Sequence, residues 1–405
     1  MEPSDILFTE LYLRNLTLPN RIVRSATYEC WGEPDGTPKA GLGELYSTLA
    51  AGGTGTIITG FVFVSQAGRA MHPGQCGIDT DVKTIAWRRI VQAVRQTNPG
   101  TKLIMQLAHT GRQTLSRITG SQVLGASSRA CSYFRQRPKV LDNSEIEQIV
   151  FEFANAAYRA KQAGFDGVQI HAAHGYLVHQ FLSPFTNTRK DRWSDPNLLL
   201  EEIVRTIRRK CGDGFPILVK LSGAEDSTPG IRVEDTIKTV QRLEELQVDA
   251  VEVSYGTMEY ALNIIRGAVP INAVLKVNPM FNKLPGFIKS IWKKYFAPAY
   301  IGKFIPFTEN YNLENASLIW SNTELPVIVV GGIRTLESML GIINDFNIDA
   351  ISLCRPLIIE PNLPKMIQAN QFIASKCTNC NLCAVYCDSP QPLQCHQKKL
   401  SEHDY

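Results

Sequence analysis

Two imidazoles and a phenol fall within six residues of one another in the stretch Gly167-Val168-Gln169-Ile170-His171-Ala172-Ala173-His174-Gly175-Tyr176. It reads as an apolar strand that opens onto His171, His174 and Tyr176. Histidine hydrogen-bonds a developing oxyanion, and tyrosine delivers a proton. Polar groups at the carboxyl end of a buried strand are where barrel enzymes place their chemistry. The plainer reading is a strand-end turn with satisfied core histidines. One histidine would favour that reading, and three such groups together weigh against it.

Cysteine is the second concentration of chemistry. Five of the 10 cysteines, Cys377, Cys380, Cys383, Cys387 and Cys395, crowd into the C-terminal stretch. A disulfide scaffold belongs to small secreted domains. This chain has 405 residues, and Met1-Glu2-Pro3-Ser4-Asp5 does not begin a secretory leader. The expectation is a cytoplasmic protein with reduced thiolates used as ligands. Cys377-x₂-Cys380-x₂-Cys383 followed by Cys395 is a strong ligand pattern, open to an iron–sulfur cluster or to zinc. Cys387 is the odd cysteine, although a ferredoxin-like grouping would use it in place of Cys395.

Something must position these groups. Apolar runs rich in Val and Ile occur at residues 22–27, 55–65, 102–109, 167–174, 216–223, 249–256, 326–332 and 350–356. Strands buried on both faces look like this. Amphipathic stretches lie between them, such as 145–161, where Ile146, Ile149, Val150 and Phe153 recur at helical spacing. Asn143 or Ser144 suits its N-cap. Eight strands alternating with helices predict an α/β fold, a (βα)₈ TIM barrel. A doubly wound sheet would want a glycine fingerprint after its first strand, and Tyr28-Glu29-Cys30 stands there instead.

The expected organisation is a barrel over residues 1–375, an insertion at 257–320 and a cysteine-rich tail at 376–405. The insertion carries many lysines, with Phe287, Ile288, Ile291, Trp292, Tyr295 and Phe296 at helical spacing. Such a basic amphipathic helix suits a lid over the barrel mouth, or a membrane surface. The lid is the preferred reading. Composition adds exclusions. A net charge of +4 is too weak to argue for nucleic acid, and no apolar run reaches the ~18 residues of a membrane span.

In a barrel the strand ends converge on one mouth. They offer Ser25-Ala26-Thr27, Thr59-Gly60, Gln106, the His171/His174/Tyr176 group, Lys220, Gly331-Gly332-Ile333-Arg334 and Cys354-Arg355. The last two loops suit phosphate, through close backbone approach at Gly331 and Gly332 and donors on Arg334 and Arg355. Gln106 and Lys220 are polar residues inside apolar strands, and burial of either needs a partner. A flavin ring would serve both, its pyrimidine edge on the amide and its reduced-state charge near the ammonium. A buried ion pair is the plainer reading of Lys220. A Schiff-base lysine in an aldolase-type barrel is another.

These residues resemble the Old Yellow Enzyme family of FMN-dependent NAD(P)H:flavin oxidoreductases. The resemblance is carried by Pro19-Asn20-Arg21-Ile22-Val23, by Gln106-Leu107-Ala108-His109-Thr110-Gly111-Arg112, and above all by His171-Ala172-Ala173-His174-Gly175-Tyr176-Leu177. It continues through Gln180-Phe181-Leu182-Ser183-Pro184 and Asn187-Thr188-Arg189-Lys190-Asp191-Arg192, and covers residues 7–361. It implies FMN at the barrel mouth and NADH or NADPH as hydride donor to a small-molecule substrate, an electron-poor alkene. Ser25, Ala26, Thr27 and Gly60 would lie along the flavin, Gln106 and Lys220 at its pyrimidine edge, and Gly332 and Arg355 at its phosphate. His171 and His174 would hold the substrate's activating oxygen, and Tyr176 would donate the proton. Arg24-Ser25, Trp193-Ser194-Asp195 and Cys354 depart from the family pattern. The tail resembles that of the subgroup with trimethylamine dehydrogenase and dienoyl-CoA reductase, which implies a [4Fe–4S] cluster on Cys377, Cys380, Cys383 and Cys395. Those relatives continue into dinucleotide-binding domains, so the cluster's electron source stays open, with room for an electron-transfer partner and a homo-oligomer. A cofactor-binding redox sensor switched by the tail is the non-enzymatic alternative.

Overall fold

Eight parallel strands close on themselves. They are β1 (Ile22–Arg24), β2 (Thr56–Ile58), β3 (Lys102–Ala108), β4 (Gly167–Ala172), β5 (Ile217–Ser222), β6 (Ala250–Ser254), β7 (Val327–Val330) and β8 (Ala350–Leu353). Each pairs with the next, and β8 pairs back onto β1 through Ile351 and Ile22. This computed structural model describes residues 2–278 and 281–397.

Every residue of β4, β5, β6 and β8 is buried, so no polar alternation marks their sequences. Two apolar compartments result. The larger lies between the strands and the surrounding helices. The smaller fills the barrel interior with Val23, Ile58, Ile104, Leu218, Ala250, Ile328 and Ala350. An N-terminal hairpin pairing Leu11 with Leu18 closes that interior from below.

The helices are α1 (Gly41–Ala51), α2 (Asp81–Thr97), α3 (Asn143–Ala163), α4 (Leu198–Cys211), α5 (Val233–Glu245), α6 (Leu313–Trp320), α7 (Leu336–Asn344) and α8 (Leu363–Gln368). α3 shows how sequence sets each one. Ile146, Ile149, Val150 and Phe153 form its buried stripe, while Phe151 is left exposed. Its N-cap is Asp142, not the expected Asn143 or Ser144. Asp142 accepts from the Glu145 N–H at 2.9 Å, and Glu145 accepts from the Asp142 N–H at 3.0 Å. This reciprocal pair satisfies two orphan donors at once, which a lone Asn or Ser inside the first turn would not.

Two strand expectations are shortened. The run 22–27 stops being strand after Arg24, and 55–65 breaks into β2 and a short segment, Val62–Phe63. Between them the Gly60 N–H turns away to donate to Glu29 at 2.7 Å.

At the barrel's lower face the chain repeats one device. Asp166, Asp249 and Asp349 each precede a strand and accept an N–H from the first two residues of a neighbouring strand, at Leu103, Ile217 and Val327. Asp249 also accepts from the Asn15 N–H at 2.8 Å and from Arg208 at 3.1 Å, and is fully buried.

The insertion is helical. Its segment Ile271–Val277 packs on the tail helix Leu382–Val385 through Ala273. Its segment Gly286–Tyr295 has no buried residue, and Phe287, Ile291 and Tyr295 face outward. The amphipathic helix therefore forms as expected but does not itself cover the mouth. No helix among the described residues is long and apolar enough to cross a membrane.

Asp249→Ala should destabilise the fold by about 2 kcal/mol, because it leaves the buried Ile217 N–H and the half-buried Asn15 N–H without their acceptor and takes from Arg208 its carboxylate partner. The check is the chemical-denaturation midpoint. A midpoint shift that corresponds to less than ~0.5 kcal/mol of unfolding free energy would show that the lower-face carboxylates are dispensable.

Candidate active site

Side chains on a strand alternate faces, so residues two positions above the apolar plug point inward as well. Val23 is followed by Ser25, Ile104 by Gln106, Leu218 by Lys220, Ala250 by Glu252, and Ala350 by Ser352. One step along the barrel axis the interior thus changes from apolar to polar. The polar layer is hydrogen-bonded throughout. Glu252 accepts from Ser25 at 2.7 Å, Ser352 at 2.8 Å and Gln169 at 2.8 Å, with the Lys220 ammonium 3.2 Å away. Lys220 donates to Ser25 at 2.9 Å, and Gln106 donates to Gln169 at 2.7 Å. Burial opposes ionisation of Glu252, but Lys220 and the three donors outweigh it, and its pKa is lowered.

Above this layer lies a cleft with about 1290 Å³ of empty space, part of it open to solvent. Ser25, Ala26, Thr27, Gln106, His171, His174, Tyr176, Lys220, Gly331, Gly332, Arg334, Cys354 and Arg355 all line it. Gly60 does not. It sits behind the wall, where a Cβ would meet the Glu29 carboxylate at 2.1 Å, and Phe61 lines the cleft instead.

The end of β4 is built by a tight turn. His174 and Gly175 both take positive φ, at 63° and 77°. A side chain at Gly175 would strike Gln113 at 2.1 Å. Such backbone in a non-glycine residue costs of order 1 kcal/mol and must be held by its surroundings. The His174 N–H donates to Ser222 at 3.1 Å, and its carbonyl accepts from Met258 at 3.0 Å and Gln113 at 3.1 Å. The turn brings the three rings together, His174 edge-on to His171 and Tyr176 tilted against it. His171 lies 4.9 Å from His174 and 4.8 Å from Tyr176, centroid to centroid.

Hydrogen bonds orient each group. His171 Nδ1 accepts from the Ala173 N–H at 3.3 Å, which puts the proton on Nε2. His174 Nε2 pairs with the Ser254 hydroxyl at 2.8 Å. Burial lowers both imidazoles well below the ordinary value, helped by Lys220 for His171 and by His171 for His174. Both are neutral at pH 7. Burial also raises the Tyr176 phenol, which keeps its proton in place.

At the β7 and β8 ends, Gly331 and Gly332 have φ of 138° and 78°. The N–H groups of Gly332, Ile333 and Arg334 donate to no acceptor among the described residues. Arg334 Nε is buried and unpartnered too. Arg355 gives Nη1 to the Arg266 carbonyl at 2.9 Å and to Asn381 at 2.7 Å. Thr27 Oγ1 and Cys354 Sγ lie 2.9 Å apart.

The tail folds back over this mouth, and Cys383, Cys387 and Leu393 become part of the cleft wall. Leu393 donates its N–H to the Glu29 carbonyl at 2.9 Å. Beside the cleft, Cys377, Cys380, Cys383 and Cys395 line one small cavity with Arg355, Asn381 and His396. Cys387 does not. Asn379 and Asn381 take left-handed backbone between the cysteines, a conformation that asparagine tolerates better than most residues. Asn381 also donates to the Ile265 and Ala268 carbonyls, tying the tail to the insertion.

Sequence reasoning missed Glu252 and Gln169, although both interrupt apolar strands as Gln106 and Lys220 do. It also missed Asn381, for which the sequence held no signal.

Comparison with known proteins agrees with this geometry. The chain is 31% identical over 382 residues to NADH oxidase of Thermoanaerobacter brockii, covering 93% of this chain and 53% of that protein. It therefore spans about half the length of that relative. It is 35% identical over 256 residues to NADPH dehydrogenase of Listeria monocytogenes serotype 4b, covering 62% of this chain and 73% of that one. Among solved structures, 2-naphthoyl-CoA reductase in complex with 2-naphthoyl-CoA superposes with a TM-score of 0.79. Identity there is 21%, over 97% of this chain and 56% of that one, a likeness of fold. A family profile matches residues 6–299, and by that match the chain belongs to the NADH:flavin oxidoreductase / NADH oxidase family.

Proposed function

We propose that this chain is an FMN-dependent oxidoreductase that passes a hydride from NADH or NADPH to an electron-poor alkene. The observation that carries the reading is the His171, His174 and Tyr176 cluster on the same cleft wall as Gln106 and Lys220.

The cleft suits FMN on its own chemistry. One end offers the Gln106 amide and the Lys220 ammonium, a donor–acceptor pair and a cation for the pyrimidine edge. The other offers three unpaired N–H groups in a Gly-rich turn and a buried, unpartnered guanidinium Nε, suited to a phosphate. Ser25, Ala26 and Thr27 would lie along the ring, with Cys354 and Arg355 beside the phosphate. When bound, FMN supplies the hydride taken from NAD(P)H.

The side chains supply the rest. Neutral His171 offers an Nε2–H to the substrate's activating oxygen, with His174 beside it. Donation from a neutral group avoids placing a second cation near Lys220. Withdrawal of electrons by that oxygen leaves the β-carbon open to hydride. Tyr176 gives its hydroxyl proton to the α-carbon and is reprotonated from solvent. Its hydroxyl makes no hydrogen bond among the described residues, so no protein acceptor competes for that proton.

The Schiff-base reading of Lys220 loses support from the geometry. An ammonium held by Glu252 and Ser25 lacks the free lone pair that attack on a carbonyl needs. Turnover of NAD(P)H with an enone would separate the enzyme from a non-catalytic sensor.

We further propose that Cys377, Cys380, Cys383 and Cys395 hold a [4Fe–4S] cluster. The four cysteines line one cavity, and no three of their sulfurs lie within 4.8 Å of one another. A tetrahedral zinc with bonds of 2.3 Å would want sulfurs ~3.8 Å apart. The Cys377-x₂-Cys380-x₂-Cys383 spacing followed by Cys395 supports the cluster reading.

Tyr176→Phe should leave flavin reduction by NAD(P)H nearly unchanged and slow alkene reduction by roughly 10²–10⁴. Stopped-flow measurement of the two half-reactions separates them. Wild-type alkene reduction in this variant would place the proton source elsewhere.

Replacing any of Cys377, Cys380, Cys383 or Cys395 by serine should release iron, while Cys387→Ser should retain it. Iron and sulfide analysis of anaerobically purified protein is the readout. Retention of full iron after loss of any of the four would remove that residue from the set.

A further inference from the structure

Three ligand atoms converge where the loop after β2 meets the tail. A ring nitrogen of His72, Cys387 Sγ and an Asp388 carboxylate oxygen all lie within 4.8 Å of one another. Among the described residues they are the one such group of His, Cys, Asp or Glu atoms.

The pair His72 and Asp388 is not a hydrogen bond. Nδ1 stands 3.4 Å from Oδ1, and it is a buried nitrogen with no hydrogen-bond partner on a residue only 8% exposed. An N–H···O bond would close to 2.7–3.2 Å. A separation of 3.4 Å instead matches the edge of a ligand tetrahedron, ~3.3 Å for bonds of 2.0–2.1 Å to a central ion.

Two of the three ligands are also held from behind. Asn278 donates to Asp388 Oδ2 at 2.7 Å, which leaves Oδ1 turned toward His72. The same amide donates to Tyr133 Oη at 2.6 Å. The His72 ring lies 4.9 Å from Tyr28 and 5.9 Å from Phe61, which fixes its tilt. Outer groups that orient ligands in this way are what distinguish metal sites from chance clusters.

We propose that His72, Cys387 and Asp388 form a mononuclear site for a zinc-class divalent cation at the rim of the substrate cleft. Imidazole, thiolate and carboxylate together suit a borderline-soft ion. Three protein ligands leave a fourth position open. His72 and Cys387 both line the cleft, so that position faces the space where substrate would lie. A water or a substrate oxygen completes the set. On binding, one Cys387 S–H bond breaks, one S–metal bond forms, and the proton leaves to solvent. No electron moves. This site is separate from the four-cysteine cavity, and it gives Cys387 a role that the cluster does not.

Zinc chloride is the probe, applied to the FMN-loaded, anaerobically purified protein in two measurements. Calorimetric titration should give one more equivalent of zinc for the wild type than for Cys387→Ser or His72→Ala. Asn278→Ala should keep that equivalent with 10- to 100-fold weaker binding, as expected for a group that only orients a ligand. Alkylation of Cys387 by iodoacetamide, followed by peptide mass spectrometry, should slow at least tenfold when zinc is added to the wild type. Equal zinc stoichiometry in wild type and both variants would overturn the proposal. So would an alkylation rate unchanged by zinc. The alkylation measurement needs no variant, and it decides the matter if a substitution costs the protein its flavin absorbance.

Discussion

A single carboxylate sits at the centre of this barrel. Glu252 is fully buried on β6, and an isolated charge there would cost several kcal/mol. It persists because Lys220, Ser352 and Gln169 from three other strands, and Ser25 just past the end of β1, are aimed at it. Each of those residues is thereby fixed as well. Gln169 turns its carbonyl to Gln106, and Ser25 accepts from Lys220. Removing the charge would leave an ammonium without its counter-ion and three donors without acceptors. The orientation of the cleft floor is therefore a consequence of satisfying one buried anion, and a preorganised polar floor is what a bound ring with shifting charge requires.

The tail extends the same logic to the roof. Arg355 on one side and Asn381 on the other clasp across the gap, and Asn381 reaches two insertion carbonyls. Insertion, tail and β8 end thus share one hydrogen-bonded junction. Cys383 lies in the partition between the cleft and the small four-cysteine cavity, since it lines both. A centre held by that cysteine would adjoin the cleft without an intervening layer of protein. That adjacency is the structural basis for pairing a flavin with a metal cluster in the proposed function.

Much of this was legible in the sequence, for identifiable reasons. Doubly buried parallel strands are continuous apolar runs, so all eight could be located. Residues that interrupt those runs must find partners, which singled out Gln106 and Lys220. The same rule holds for Gln169 and Glu252, whose partners come from strands distant in sequence, so nothing local to either residue names them. Asp142 was missed as a cap by one residue, since a capping box is recognised by its reciprocal glutamate. Gly60 was assigned to the cleft from the family pattern, whereas here Glu29 fills the space beside it. Docking of the tail could not be read at all. Nothing local to Asn381 says that Arg355 will meet it.

The exposed helix Gly286–Tyr295 shows where pattern reading fails in principle. Periodicity states that a helix has an apolar face, and it is silent on what that face meets. Phe287, Ile291 and Tyr295 point to solvent, while Trp292 turns inward to pack 5.0 Å from Phe281 and 5.7 Å from Tyr300. The helix is thus anchored by one side and bare on the other. The ends of the same insertion behave differently. Met258, Ile264, Ile265 and Tyr311 line the cleft. Their placement follows from the His174 carbonyl, which binds the Met258 N–H, and from the Ile264 carbonyl, which accepts the Tyr311 hydroxyl at 2.9 Å. Backbone groups at the end of β4 thereby set both the reacting cluster and the first wall above it. The histidine whose imidazole pairs with Ser254 is the same residue whose carbonyl seats the insertion, so chemistry and enclosure are coupled through one strained turn.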